Sequence, residues 1–107
     1  MSRFADVIAR LCATIAERRS ADGGASYTAQ LLADPARAAK KLGEESIETV
    51  IAALGPDKDA LAAESADLIY HWLVVLEAAG VALDDVAAKL EAREGTSGLD
   101  EKASRPK

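Results

Sequence analysis

The dipeptide Gly55-Pro56 interrupts two long helix-like segments. Proline disfavours helical backbone in the residue before it, so a helix reaching Leu54 must end there and a second must start beyond. The acids mirror each other across this break. Glu45-Ser46-Ile47-Glu48 and Glu64-Ser65-Ala66-Asp67 lie equally far before and after Pro56. An antiparallel hairpin brings Glu48 level with Glu64, and Glu45 level with Asp67 about 4.5 Å further along at 1.5 Å rise per residue. Two unit charges about 5 Å apart repel by roughly 3 kcal/mol at an effective dielectric near 20. Four converging acids therefore call for a cation among them, and the pattern predicts a divalent-metal site made by Glu45, Glu48, Glu64 and Asp67.

The remaining segments also read as helices. Phe4, Val7, Ile8, Leu11 and Ile15 form one apolar stripe on a helix over about 2–19, which Asp22-Gly23-Gly24 ends. Ser26-Tyr27-Thr28 leads into a short helical turn through Leu31 and Leu32, with a Ser or Thr cap. Asp34-Pro35 opens the helix 35–54, because aspartate caps and proline suits the first helical position. Its apolar stripe is Ile47, Val50, Ile51 and Leu54. Asp57 or Asp59 caps a third long helix, about 57–79, carrying Leu61, Leu68, Ile69, Trp72, Val75 and Leu76 and stopping near Gly80. A fourth, roughly 84–93, turns Val86 and Leu90 inward. The expected fold is all-α, an antiparallel helical bundle with one domain over residues 1–93. Residues 94–107 are rich in Gly and polar side chains and read as a flexible tail, or as a segment that orders over a bound ligand.

Composition adds two constraints. In 107 residues only 4% are aromatic, so the abundant alanine favours helix while large core-filling side chains are few. Dimerisation is the expected remedy for a chain this short. A net charge of -5 argues against a nucleic-acid partner or an anionic membrane surface, both of which attract Lys and Arg. Cys12 is the only cysteine, which precludes an intrachain disulfide. The start MSRFADVIARL lacks the apolar stretch of a secretory signal, and Leu68 to Leu76 falls short of the roughly 20 residues that span a bilayer. A cytoplasmic protein with no membrane segment is expected.

On a helical projection Glu44, Glu45 and Glu48 fall within an arc of about 100° beside the Ile47-Ile51-Leu54 stripe, and Glu64, Asp67 and His71 within about 60° on the third helix. Both arcs adjoin apolar faces, where bundles build metal sites; the competing reading is a solvated charged face with Lys40-Glu44 and Lys41-Glu45 pairs. Carboxylate oxygens suit Mg²⁺, with Mn²⁺ the alternative, whereas zinc would want Cys or several His. The two Glu-x-x-His motifs of a di-iron bundle are absent. Magnesium held by few carboxylates accepts substrate phosphates, which points to nucleotide chemistry. No P-loop or Rossmann glycine pattern occurs, and Cys12 with a single histidine makes no nucleophilic triad; Cys12 reads as a packed core residue.

The stretches Ser26-Tyr27-Thr28-Ala29-Gln30-Leu31-Leu32, Lys40-Lys41-Leu42-Gly43-Glu44-Glu45-Ser46-Ile47-Glu48 and Glu64-Ser65-Ala66-Asp67-Leu68-Ile69-Tyr70-His71 resemble the phosphoribosyl-ATP pyrophosphohydrolases of histidine biosynthesis. These belong with the all-α, MazG-like nucleotide pyrophosphohydrolases. The resemblance runs over about residues 4–105, through Arg93-Glu94-Gly95-Thr96-Ser97-Gly98 and Glu101-Lys102-Ala103. It departs before the second helix, where Asp34-Pro35 makes a shorter loop, and at Ser46, where alanine is usual.

The resemblance implies Mg²⁺-dependent hydrolysis of phosphoribosyl-ATP to phosphoribosyl-AMP and pyrophosphate by a homodimer. It carries the metal-ligand role onto Glu45, Glu48, Glu64 and Asp67, and makes Glu44 a further ligand or the base that orients the attacking water. Lys40 and Lys41 either reach phosphates or balance Glu44 and Glu45. His71 either orients a metal ligand or packs beside Tyr70 and Trp72; Arg93 either contacts phosphate or ends a helix. Ser26, Tyr27 and Thr28 either frame the substrate or serve as cap and core anchor. Two other readings stay open: a house-cleaning pyrophosphohydrolase of ordinary or damaged nucleotides, and a non-catalytic all-α dimerisation module.

Overall fold

A computed structural model of the chain describes residues 2–21, 26–95, 98–103 and 105–106. The expected stop at Asp22-Gly23-Gly24, and Thr96 and Ser97 of the closing motif, lie outside them. The described residues form six helices and no strand: α1 (Arg3–Arg18), α2 (Tyr27–Leu32), α3 (Pro35–Leu54), α4 (Lys58–Ala79), α5 (Leu83–Glu91) and α6 (Gly98–Ala103). The all-α expectation holds, and α6 adds a short helix within the C-terminal segment.

Local chemistry sets the boundaries. Ser26 Oγ accepts the Ala29 N–H at 3.2 Å and caps α2. Asp34 accepts from the Arg37 N–H at 3.2 Å, with Pro35 at the first position of α3. Asp57, rather than Asp59, caps α4, accepting from Asp59 and Ala60 N–H at 2.9 and 3.1 Å. At the other end Gly80 adopts φ 74°, so Val81 N–H reaches the Leu76 carbonyl at 2.9 Å and Gly80 N–H that of Glu77 at 3.2 Å. That left-handed turn satisfies carbonyls that the helix end would leave unpaired.

α3 and α4 pack as an antiparallel hairpin, and α1 and α2 cover other sides of α4. The core is Ile15, Leu31, Leu32, Ala38, Leu73 and Val74, with Ile8, Leu11, Cys12, Ile69, Trp72, Val75, Leu76 and Leu83 packed around it. α4 is enclosed on several sides, so its most buried apolar residues are Leu73 and Val74, not the positions that a single-face reading selects. Arg19 of the α1 end ties down the α4 end through the Glu77 carboxylate, Nε to Oε2 2.9 Å.

Two expectations about faces are corrected. The α3 stripe does not enter the core: Ile47, Val50, Ile51 and Leu54 are 63, 58, 64 and 84% exposed. α3 instead turns Ala38 and Glu45 inward, so the acidic face, not the apolar one, meets α4. Leu90 of α5 is likewise exposed, while Val86 is half-buried. The physical reason is that this small bundle has too few elements to cover α3 on both sides. A radius of gyration of 16.0 Å exceeds the ~13 Å of a closed domain of about 100 residues. Among the described residues no single helix is long and apolar enough to cross a membrane.

Leu31 is fully buried and anchors α2. Leu31→Ala is expected to cost about 2–5 kcal/mol, a large part of the 5–15 kcal/mol typical of a small domain. Urea unfolding measures it; a loss under about 1 kcal/mol would mean that α2 is not seated in the core.

Candidate metal and nucleotide site

Arg37, Lys41, Glu45 and Thr49 follow one another on α3 at four-residue spacing, with Glu45 buried, Lys41 and Thr49 half-buried and Arg37 exposed. Each step turns the helix by about 40°, so the row winds slowly around α3, about 120° from Arg37 to Thr49. Thr49 Oγ1 lies 2.8 Å from the Glu45 carbonyl and 3.2 Å from that of Glu64, donating towards both helices where the two acidic motifs meet. The register is the one that the mirrored motifs predict, with Glu48 beside Glu64 and Glu45 near Asp67 and His71.

Carboxylate oxygens of Glu45, Glu48 and Glu64 lie within 4.8 Å of one another. Glu45 is only 9% exposed and Glu64 is half-buried, while Glu48 is exposed. Glu45 Oε2 and Glu64 Oε2 are buried with no hydrogen-bond partner. Leaving a buried polar atom unpaired is costly, and the cost is greater for a charge. Burial first, and then the neighbouring Glu48, push the Glu45 carboxyl above the ordinary carboxylate value; His71 offsets part of this. Glu64 is raised in the same way, by burial and then by Glu48. The charge of Asp67 adds to both, although its exposed side chain stands outside the three-carboxylate group.

All the convergent donors are carboxylate oxygens, and two of the three residues, Glu45 and Glu64, each carry a buried, unsatisfied oxygen. That donor set fits a hard divalent cation such as Mg²⁺. A solvated charged face does not account for it, because solvation requires the orphaned oxygens to reach water.

The neighbouring residues fall into distinct places. Glu44 is exposed and its Oε1 pairs with Lys41 Nζ at 3.2 Å, an i,i+3 contact in place of the expected Lys41-Glu45 and Lys40-Glu44 pairs. Lys40 projects from an exposed position on α3. Hydrogen bonding to Glu44 raises the Lys41 pKa, which keeps the ammonium charged. His71 is buried; its Nδ1 lies 2.8 Å from the Asp67 carbonyl. A carbonyl only accepts, so Nδ1 carries the proton and, in the neutral ring, Nε2 is left to accept from the Tyr27 hydroxyl at 3.4 Å. His71 thus holds the backbone of Asp67 rather than its carboxylate.

Ser26 is the α2 cap, and the Thr28 hydroxyl bonds to that of Tyr70, so both anchor α2. Tyr27 differs: its ring is partly exposed and its hydroxyl faces the site. Arg93 sits just beyond α5. Arg37 and Thr49 were not singled out by sequence motifs, although their four-residue spacing from Glu45 was the available signal. The Arg37 guanidinium carbon stands 5.8 Å from the centre of the Tyr27 ring.

Comparison with known proteins agrees with this geometry. The family model for phosphoribosyl-ATP pyrophosphohydrolase matches residues 8–94, a span that holds every acid of the site. A phosphoribosyl-ATP pyrophosphatase of Caulobacter vibrioides is 67% identical over 103 residues, covering 96% of both chains. Proteins of the same name from a further Caulobacter species and from Parvibaculum lavamentivorans are 64% and 54% identical, each over 106 residues; coverage is 99% of both chains for the first, and 98% of this chain and 97% of the relative for the second. An all-α hairpin with paired acidic motifs in register, matched along nearly its whole length, leads to one assignment: the chain belongs to the phosphoribosyl-ATP pyrophosphohydrolase family.

Proposed function

We propose that this chain hydrolyses phosphoribosyl-ATP to phosphoribosyl-AMP and pyrophosphate in histidine biosynthesis, as a cytoplasmic homodimer using Mg²⁺, with Mn²⁺ able to replace it. The carrying observation is the pair of buried, unpartnered oxygens on Glu45 and Glu64 beside Glu48. Glu45, Glu48 and Glu64 would hold the cation, with Asp67 completing the set from the rim. A divalent cation bound there supplies charge neutralisation at the triphosphate and activation of a water.

The chain's own residues do the rest. Glu45 and Glu64 stay in place because Thr49 pins both helices at their level. Glu44, on the exposed side of the same turn, orients the attacking water or adds a ligand. Lys41, and Lys40 beside it, meet substrate phosphates. His71 fixes the backbone of Asp67 and turns Tyr27 towards the substrate; Ser26 and Thr28 hold the α2 frame, and Arg93 contributes from beyond α5. Residues 1–93 form the catalytic domain and 94–107 follow it as a tail.

The second copy covers the exposed Ile47-Val50-Ile51-Leu54 stripe. A contiguous apolar row of this kind on a core-poor chain marks a partner surface. The stripe flanks Glu48, so pairing also shields the acids from bulk water.

Three outcomes are expected. Glu45 and Glu64 have folded-state pKa values raised above the ordinary 4.5, so the folded form binds their protons more tightly than the unfolded one. Their favourable contribution is complete below the unfolded value and disappears as pH rises through the folded one. Without metal, Glu64→Gln should therefore gain stability over the unsubstituted protein as pH is raised from about 4.5 to 7, and Mg²⁺ should cancel the gain; thermal melts that show neither trend count against a metal site. Glu48→Gln should lower kcat on phosphoribosyl-ATP by on the order of 10²-fold or more, read by pyrophosphate release, with full activity as the contrary result. Leu54→Asp should give a monomer by light scattering; an unchanged dimer would place the interface elsewhere.

A further inference from the structure

Arg37 lies eight residues before Glu45 on α3, so its backbone stands about 12 Å along the helix, and about 80° around it, from that of the buried acid. Its guanidinium stands over the Tyr27 ring, 5.8 Å from the centre. Among the described residues it has no carboxylate partner, in contrast to Lys41 with Glu44 and Arg19 with Glu77. A guanidinium over an aromatic face is held without using its N–H fork, and that fork suits a phosphate. The same tyrosine reaches His71 with its hydroxyl, and His71 Nδ1 holds the Asp67 carbonyl at 2.8 Å. One aromatic ring therefore connects the backbone of the second acidic motif, at Asp67, to a cation without a carboxylate partner among the described residues.

A phosphoribosyl nucleotide carries phosphate in two separate places: the triphosphate, and the phosphate on the second ribose. The first is met at the acids by the cation and by Lys41. Arg37, about 6 Å beyond Lys41 along the helix, is placed for an anion that is not part of that chain. We infer that Arg37, supported by Tyr27, binds the phosphate of the phosphoribosyl group and so allows the site to distinguish phosphoribosyl-ATP from ATP. The inference rests on the reaction proposed above and assigns its specificity to a residue outside the acidic motifs.

AMP and phosphoribosyl-AMP differ by the phosphoribosyl group alone, so the test is calorimetric titration of each into the full chain with Mg²⁺. Arg37→Gln should weaken phosphoribosyl-AMP by about tenfold or more, as expected for hydrogen bonds to a charged group, and leave AMP within about twofold. Arg37→Lys should recover part of the loss, since charge is kept and the planar fork is not. Arg37 is exposed, and an unchanged melting temperature of the variants verifies the fold. Equal weakening of both nucleotides, or of neither, overturns the role of Arg37. Failure of the unsubstituted protein to release pyrophosphate from phosphoribosyl-ATP overturns the reaction instead, and the two failures are read in separate assays.

Discussion

Three carboxylates forced together in the seam of a helical hairpin govern this molecule. Their mutual repulsion and the loss of solvent at Glu45 and Glu64 work against the folded state. The hairpin withstands this because α4 is packed on several sides, and because Thr49 ties the backbones of both helices at the level of the acids. The cost is local, confined to the place where the two acidic motifs meet, and it is a cost that a divalent cation would offset.

The acids and the exposed apolar row are two consequences of one choice. α3 has a single face that can meet α4, and the chain spends it on Ala38, Glu45 and their half-buried neighbours. The apolar residues are displaced to another side of the helix, where none of the described residues buries them. The clustering of the acids and the exposure of the apolar row thus come from the same rotation of one helix. α2 belongs to the same scheme, since its buried Leu31 and Leu32 hold Tyr27 between His71 and Arg37.

Much of this was legible in the residues themselves. Asp34-Pro35, Gly55-Pro56 and Gly80 punctuate the chain through backbone chemistry that tertiary contacts rarely override, so the long helices lie where expected. The pairing of Glu48 with Glu64 followed from counting outward from a proline. Orientation was less legible. Periodicity shows that Ile47, Val50, Ile51 and Leu54 share a face, but not whether that face enters the chain's own core. The same holds for Leu90, which shares a helical face with Val86 yet is exposed. The Lys41-Glu44 pair and the position of Arg37 over Tyr27 depend on side-chain directions and on a contact between α2 and α3, which spacing along one helix does not contain.

Whether the three carboxylates hold a cation is decided by diffraction at the manganese absorption edge from crystals equilibrated with Mn²⁺. An anomalous peak is expected between Glu45, Glu48 and Glu64, with the otherwise unpartnered Oε2 atoms of Glu45 and Glu64 among its ligands. No peak at saturating Mn²⁺, with the three carboxylates turned apart into water, would contradict it.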